Sequence, residues 1–221
     1  MSPSLTREFV ADALSPSAMD PRARALYDLC FLHRHHFNGE LVGDKLRLIG
    51  RLYAEPGAVP GCFPERGAHC LARSPVDRWF STLATAEQLE GWLLLEMHKR
   101  VMAVFADLAE PEARSLAAQY LHFHFPELFY IHDGEVERAA RRLVPGDCGF
   151  LAVGDFDPAY GRFHARCRKL AEQLTPERGR RLSPRELDRV LRAWGAMEDA
   201  GSAPRPRYDA LRSTAPAFAH A

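Results

Sequence analysis

The chain has 221 residues, 47% of them hydrophobic and 26% charged, which is enough to bury one sizeable core without staples. Lys plus Arg and Asp plus Glu number 29 each, which excludes a global field steering the chain to nucleic acid or membrane, so any polyanion site must be a local patch. Five cysteines, an odd number at irregular spacings, exclude a disulfide framework and make a reducing cytoplasm the expected home.

Residues 1–19 read as a flexible N-terminal segment, with no apolar core of the kind a secretory leader carries. Asp20-Pro21 opens a helix with apolar positions Leu26, Leu29, Cys30, His33 and Phe37. Asn38 caps a second helix, to about Tyr53, carrying Leu41, Leu48, Ile49 and Leu52. Pro56, Gly57, Pro60, Gly61, Pro64 and Gly67 then predict a loop over 55–73. Ser74-Pro75 starts a short helix through Trp79 and Leu83. Thr85 is expected to cap the most periodic helix, with Leu89, Trp92, Leu93, Met97, Val101, Val104, Phe105 and Leu108 at steps of three and four. The run Trp92 to Leu95 falls far short of the roughly 20 residues of a spanning helix, so no membrane partner is expected.

Pro111 starts the next helix, with Leu116, Ala117, Tyr120, Leu121 and His124 on one face, and Pro126 stops it. An apolar link, Leu128 to Ile131, leads to Asp133, which caps a helix bearing Val136, Ala139, Ala140 and Leu143. Residues 145–156 read as loop, with Phe150 to Val153 a short extended piece. Asp157-Pro158 opens a helix through Tyr160, Phe163, Cys167, Leu170 and Leu174. Ser183 with Glu186 forms a capping box for the last one, whose inner face is Leu187, Val190, Leu191 and Trp194. The sum is an all-α chain: an irregular bundle of about eight helices over 20–199, then a disordered tail, 200–221. The composition, heavy in Ala, Arg, Leu and Pro, has the style of a GC-rich bacterial genome.

The order from Leu108 to Arg142 is a helix, a Pro-bounded apolar link and an Asp opening the next helix. It resembles the end of the helix-hairpin-helix DNA glycosylase motif. The resemblance covers the C-terminal half and implies a glycosylase-like helical domain, a DNA or nucleobase-containing ligand, and hydrolysis of an N-glycosidic bond. It makes Asp133 the group that stabilises positive charge on the sugar, with His124 and His132 beside it. Arg114 stands nearest to the lysine of bifunctional members. Arginine forms no Schiff base, so a monofunctional reaction is implied. Arg114, His122, Phe125 and Tyr130 would hold the base, and Arg180, Arg181 and Arg185 would meet phosphate. The chain departs from the motif at the hairpin, where Asp107-Leu108-Ala109-Glu110-Pro111-Glu112 has no glycine and three carboxylates.

The residues leave other readings open. Asp133 serves equally as a structural cap. The arginines of the last two helices also fit a solvated, salt-bridged surface. His33 and His124 fall on apolar faces, so they could meet and hold a metal or haem in a small-molecule biosynthetic or redox enzyme, or act as acid and base. They are equally readable as hydrogen-bonded core residues. Cys62, His69 and Cys70 have only a weak metal-clip spacing. A non-catalytic interaction protein, bound through the tail or the basic final helices, is the third alternative.

Overall fold

The computed structural model describes residues 5–53, 60–85, 91–146, 148, 154–175 and 179–201. Ten α-helices occupy these residues, and no strand occurs among them. They are α1 (Arg7–Ala13), α2 (Pro21–Leu32), α3 (Gly39–Tyr53), α4 (Phe63–Arg73), α5 (Val76–Thr85), α6 (Gly91–Ala109), α7 (Ala113–His124), α8 (Gly134–Leu143), α9 (Pro158–Gln173) and α10 (Pro184–Gly201). None is long and apolar enough to cross a membrane. The extended piece at 150–153, Leu89 and the tail from 202 onward lie outside the described residues.

The helix starts follow the capping chemistry read from sequence. Asp20 accepts the Arg22 N–H at 2.7 Å, and Asn38 accepts those of Glu40 and Leu41 at 3.1 and 3.2 Å. Asp133 takes the Val136 N–H at 2.8 Å, Asp157 that of Tyr160 at 3.1 Å. Glu186 reaches back to the Ser183 N–H at 3.0 Å while Ser183 Oγ accepts from Glu186 N–H, the reciprocal pair of a capping box. Each satisfies orphan donors of a first turn and fixes where the chain enters its helix.

Two stretches differ from the sequence expectation. Residues 63–73, expected as loop, form α4. Pro64 sits in the first turn, where its missing N–H removes no helix bond, and Gly67 faces a neighbouring helix rather than a turn. A Cβ at Gly67 would lie 2.9 Å from Leu46 Cδ1, so the glycine is there to let α3 and α4 approach. Residues 7–13, expected within a flexible segment, form α1, whose Val10 and Ala13 are buried. Thr85 ends α5 instead of capping α6. Phe37 and Trp92, expected on buried faces, are largely exposed.

Two apolar clusters organise the helices. One is built from α2 to α7 with Phe129 and Ile131; the other joins α1 to α8, α9 and α10. Helices α6 and α7 run along each other and belong to both, since Leu95 and Ala118 pack into the second cluster while their neighbours fill the first. The polar residues of interest lie along this shared spine and at its two flanks.

Candidate functional site

The residues expected in one pocket are divided among three polar clusters. The first lies at the seam between the apolar clusters. Asp133 caps α8 with Oδ1 and accepts Arg192 at 2.5 Å with Oδ2, so both oxygens are engaged. The same guanidinium donates to Asp188 at 3.1 Å, lies 3.6 Å from Glu135, and covers the Tyr53 ring at 4.8 Å. Burial pushes the Asp188 carboxyl up, with Arg192 acting against it. Burial also disfavours the Arg192 charge, but Asp188 and Asp133 more than offset this and its pKa rises. His122 lies near this seam. Its Nδ1–H donates to the Phe129 carbonyl at 2.6 Å, which leaves Nε2 to accept the Tyr27 hydroxyl at 2.6 Å. Burial holds its pKa down to about 3.

The second cluster takes Arg114 and His132. Arg114 pairs with Asp157, one contact running at 3.2 Å and a closer one from Nε. Burial works against the Asp157 charge, yet the hydrogen bonds from Arg114 outweigh it and its pKa falls. His132 Nδ1 lies 3.2 Å from Ser115 Oγ and its Nε2 is 3.7 Å from Glu137. Beneath them His98 stacks on Tyr160, ring centroids 3.6 Å apart, and donates Nε2–H to the Arg114 carbonyl at 3.1 Å. The arginines expected to meet phosphate are each partnered. Arg180 grips Glu186 at 2.8 and 2.5 Å, Arg181 reaches the Tyr130 hydroxyl at 3.3 Å, and Arg185 lies over the Tyr27 ring at 4.1 Å. The exposed Arg180 pair is a surface pair that solvent screens.

The third cluster surrounds His124 and contains Asp77 and Lys45, which the sequence reading passed over. His33 does not face His124, as expected; α2 ends at Leu32, and the His33 side chain is exposed. His36 takes that place, its ring centroid 5.5 Å from that of His124. Asp77 of α5 holds His36 twice, accepting Nδ1–H at 2.7 Å and the backbone N–H at 3.3 Å. Among the described residues the His36 Nε2 is left as a buried lone pair with no partner, and the buried Tyr120 hydroxyl next to it in the ring cluster also has none. Burial lowers the His36 pKa and Asp77 works against this; burial raises that of Tyr120.

Lys45 is the other unexpected member. It is 0% exposed, and no carboxylate lies within ion-pairing distance among the described residues. Its ammonium donates to the His33 carbonyl and lies 3.4 Å from His124 Nε2. Burial lowers the Lys45 pKa. An ammonium only donates, so Nε2 of His124 carries the lone pair and Nδ1 carries the proton. Burial, then the charges of Lys45, His36 and Arg34, hold the His124 pKa well below the ordinary histidine value, so the ring is neutral. Nδ1 has no protein partner among the described residues, and His124 lines a cavity of about 140 Å³ with Arg34, Asp77, Phe80, Ala84 and Phe125. Phe80 meets Phe125 edge-on at 5.0 Å, giving the cavity an aromatic wall.

Chemically, this third cluster is a pocket with one fixed, neutral N–H donor, a buried positive charge behind it and an apolar wall. Its volume is comparable to the ~150 Å³ cavities that admit a benzene-sized guest, and so smaller than a macrocycle requires. No three His, Cys, Asp or Glu side chains converge as a metal site among the described residues; Cys62, His69 and Cys70 sit at the start and along the outer turns of α4. Of the predicted residues, only His124 and Phe125 share this pocket. The signal for Lys45 was present in the sequence, since Val42, Lys45, Leu46 and Ile49 follow the i, i+3, i+4, i+7 pattern of one buried helix face. The chain matches no protein-family model, no curated protein and no solved structure.

Proposed function

We propose that the protein binds a compact, flat small molecule in the His124 cavity and polarises a carbonyl-type oxygen of that molecule through the His124 Nδ1–H. The observation that carries this reading is the combination at His124. One ring nitrogen is fixed by a buried ammonium, the other has no partner among the described residues, and the residue lines an apolar-walled cavity. A neutral imidazole held this way stabilises negative charge developing on oxygen without first having to lose a proton. The His36–Asp77 pair behind it has the orientation of a base whose tautomer is set by a carboxylate, and acts here by positioning the ring cluster.

The test is a nitrogen-resolved NMR titration of the histidine rings with benzoate, benzamide and benzylamine. Saturable movement of the His124 resonances by at least one of these is expected. It should be lost in Ala84→Trp, because Ala84 is an exposed lining residue whose replacement blocks the cavity without entering the core. Absence of any response in the wild-type protein would remove the reading.

A second reading keeps the glycosylase resemblance. What favours it is that Asp133 opens α8 at the seam of the two apolar clusters, with Arg192 and Arg185 of α10 alongside aromatic rings. For it to hold, Arg192 must release one Asp133 oxygen when DNA binds. Fluorescence anisotropy at fixed salt would then show preference for a duplex bearing an abasic-site analogue over intact duplex, weakened in Arg180→Ala with Arg181→Ala. Equal binding, or none, ends that reading.

A further inference from the structure

We propose that the ligand of the His124 cavity is a planar monocarboxylate, a small organic anion with a single-ring or similarly flat apolar body; the inference rests on the pocket reading above and assigns the charge of its occupant. The geometry points to an anion in three ways. Lys45 is a buried ammonium whose contacts, the His33 carbonyl and His124 Nε2, are both neutral, and no carboxylate pairs with it directly among the described residues. A buried cation costs several kcal/mol unless a counter-charge approaches, and a carboxylate on the far side of His124 supplies one through the polarised ring. Arg34 lines the same cavity, and its partner there is the Phe31 face, 4.9 Å away, rather than a carboxylate.

The one acid on the lining, Asp77, offsets one of these two cations and leaves the other. Its two oxygens accept from His36, one from the ring Nδ1–H and one from the backbone N–H. The local balance at the cavity is therefore positive, against a chain that is neutral as a whole. The remaining donor, His124 Nδ1–H, matches an acceptor oxygen, and the Phe80–Phe125 wall matches a flat apolar body. An amine would meet two cations against one carboxylate, and a donor-only N–H, with that carboxylate already accepting from His36. A neutral amide would satisfy the N–H but leave Lys45 uncompensated.

Affinities for benzoate, benzamide and benzylamine, measured by the same NMR titration at low salt, separate these cases. Benzoate is expected to bind about tenfold more tightly than benzamide, the difference between a charged and a neutral hydrogen bond, and benzylamine not at all. Arg34→Gln should weaken benzoate about threefold and leave benzamide unchanged, because Arg34 acts at the exposed mouth. Lys45→Met should abolish the preference for the acid. Equal binding of benzoate and benzamide, or tighter binding of benzylamine, overturns the anion assignment while leaving the pocket reading standing. Binding of none of the three overturns both.

Discussion

Lowering the pH from 8 to 5 is expected to cost the protein about 4 kcal/mol of folding stability from two histidines alone. His98 and His122 are both buried and neutral, each held down to about 3 by burial. The ordinary histidine value, near 6.5, is restored when the chain unfolds. A depressed folded-state value means that the unfolded chain takes up protons first. Stability is therefore full above pH 6.5 and is lost as pH falls from there towards 3. At pH 5 each histidine would have cost about 2 kcal/mol relative to pH 8.

The geometry explains why neither ring can accept its second proton in place. On His122 that proton would land on Nε2, which receives the Tyr27 hydroxyl, while Nδ1 already donates to Phe129. On His98 it would land on Nδ1, a buried nitrogen with no acceptor among the described residues, above the face of Tyr160. His36, His124, His132 and His164 are lowered in the same direction, chiefly by burial, and add to the trend. The raised carboxyl of Asp188 runs the other way, but it is one group set against six histidines. Urea denaturation at pH 8, 7, 6 and 5 reads the effect directly. A free energy that stays level across that range would mean that the rings charge in the folded state, and would undo the assignment of His124 as a neutral donor together with theirs.

What the sequence made legible divides along local and non-local physics. Caps at Asp20, Asn38, Asp133, Asp157 and Ser183 depend on residues two or three positions apart, and each forms as read. The α4 helix was hidden because its Pro and Gly carry meanings that only the neighbours reveal: a first-turn proline, and a glycine shaped by Leu46, some twenty residues earlier. The histidine pair was half legible. His124 was placed on an inward face by its helix, but its partner depended on α2 stopping at Leu32 and on Asp77 arriving from another helix to hold His36. Asp133 was read as a cap and is one; its second oxygen belongs to Arg192, a residue 59 positions later, and no local pattern announces that pairing. Lys45 was overlooked for a different reason. A lysine in sequence is by habit assigned to solvent, and here the helical periodicity around it pointed inward.

That buried lysine sets up the strongest conflict between stability and binding. Lys45→Met keeps the length and most of the volume of the side chain and removes the charge. Desolvation of an unpaired ion costs several kcal/mol, while the hydrogen bond lost to the His33 carbonyl is worth roughly 1.5–3, so the variant is expected to gain on the order of 1–3 kcal/mol at pH 7. The sign is checked by alkali. Burial lowers the Lys45 pKa below its unfolded value of about 10.5. The wild-type protein therefore recovers stability as pH rises between those two values, whereas the methionine variant has nothing to recover, and its advantage shrinks as pH approaches 10.5. Denaturation at pH 7 and at pH 10 measures both halves. A methionine variant less stable than wild type at pH 7 would make Lys45 a structural pin rather than a charge held for a ligand. A more stable variant that has also lost its preference for benzoate would mean that the fold retains this ammonium at a cost, in the one place where a bound carboxylate can use it.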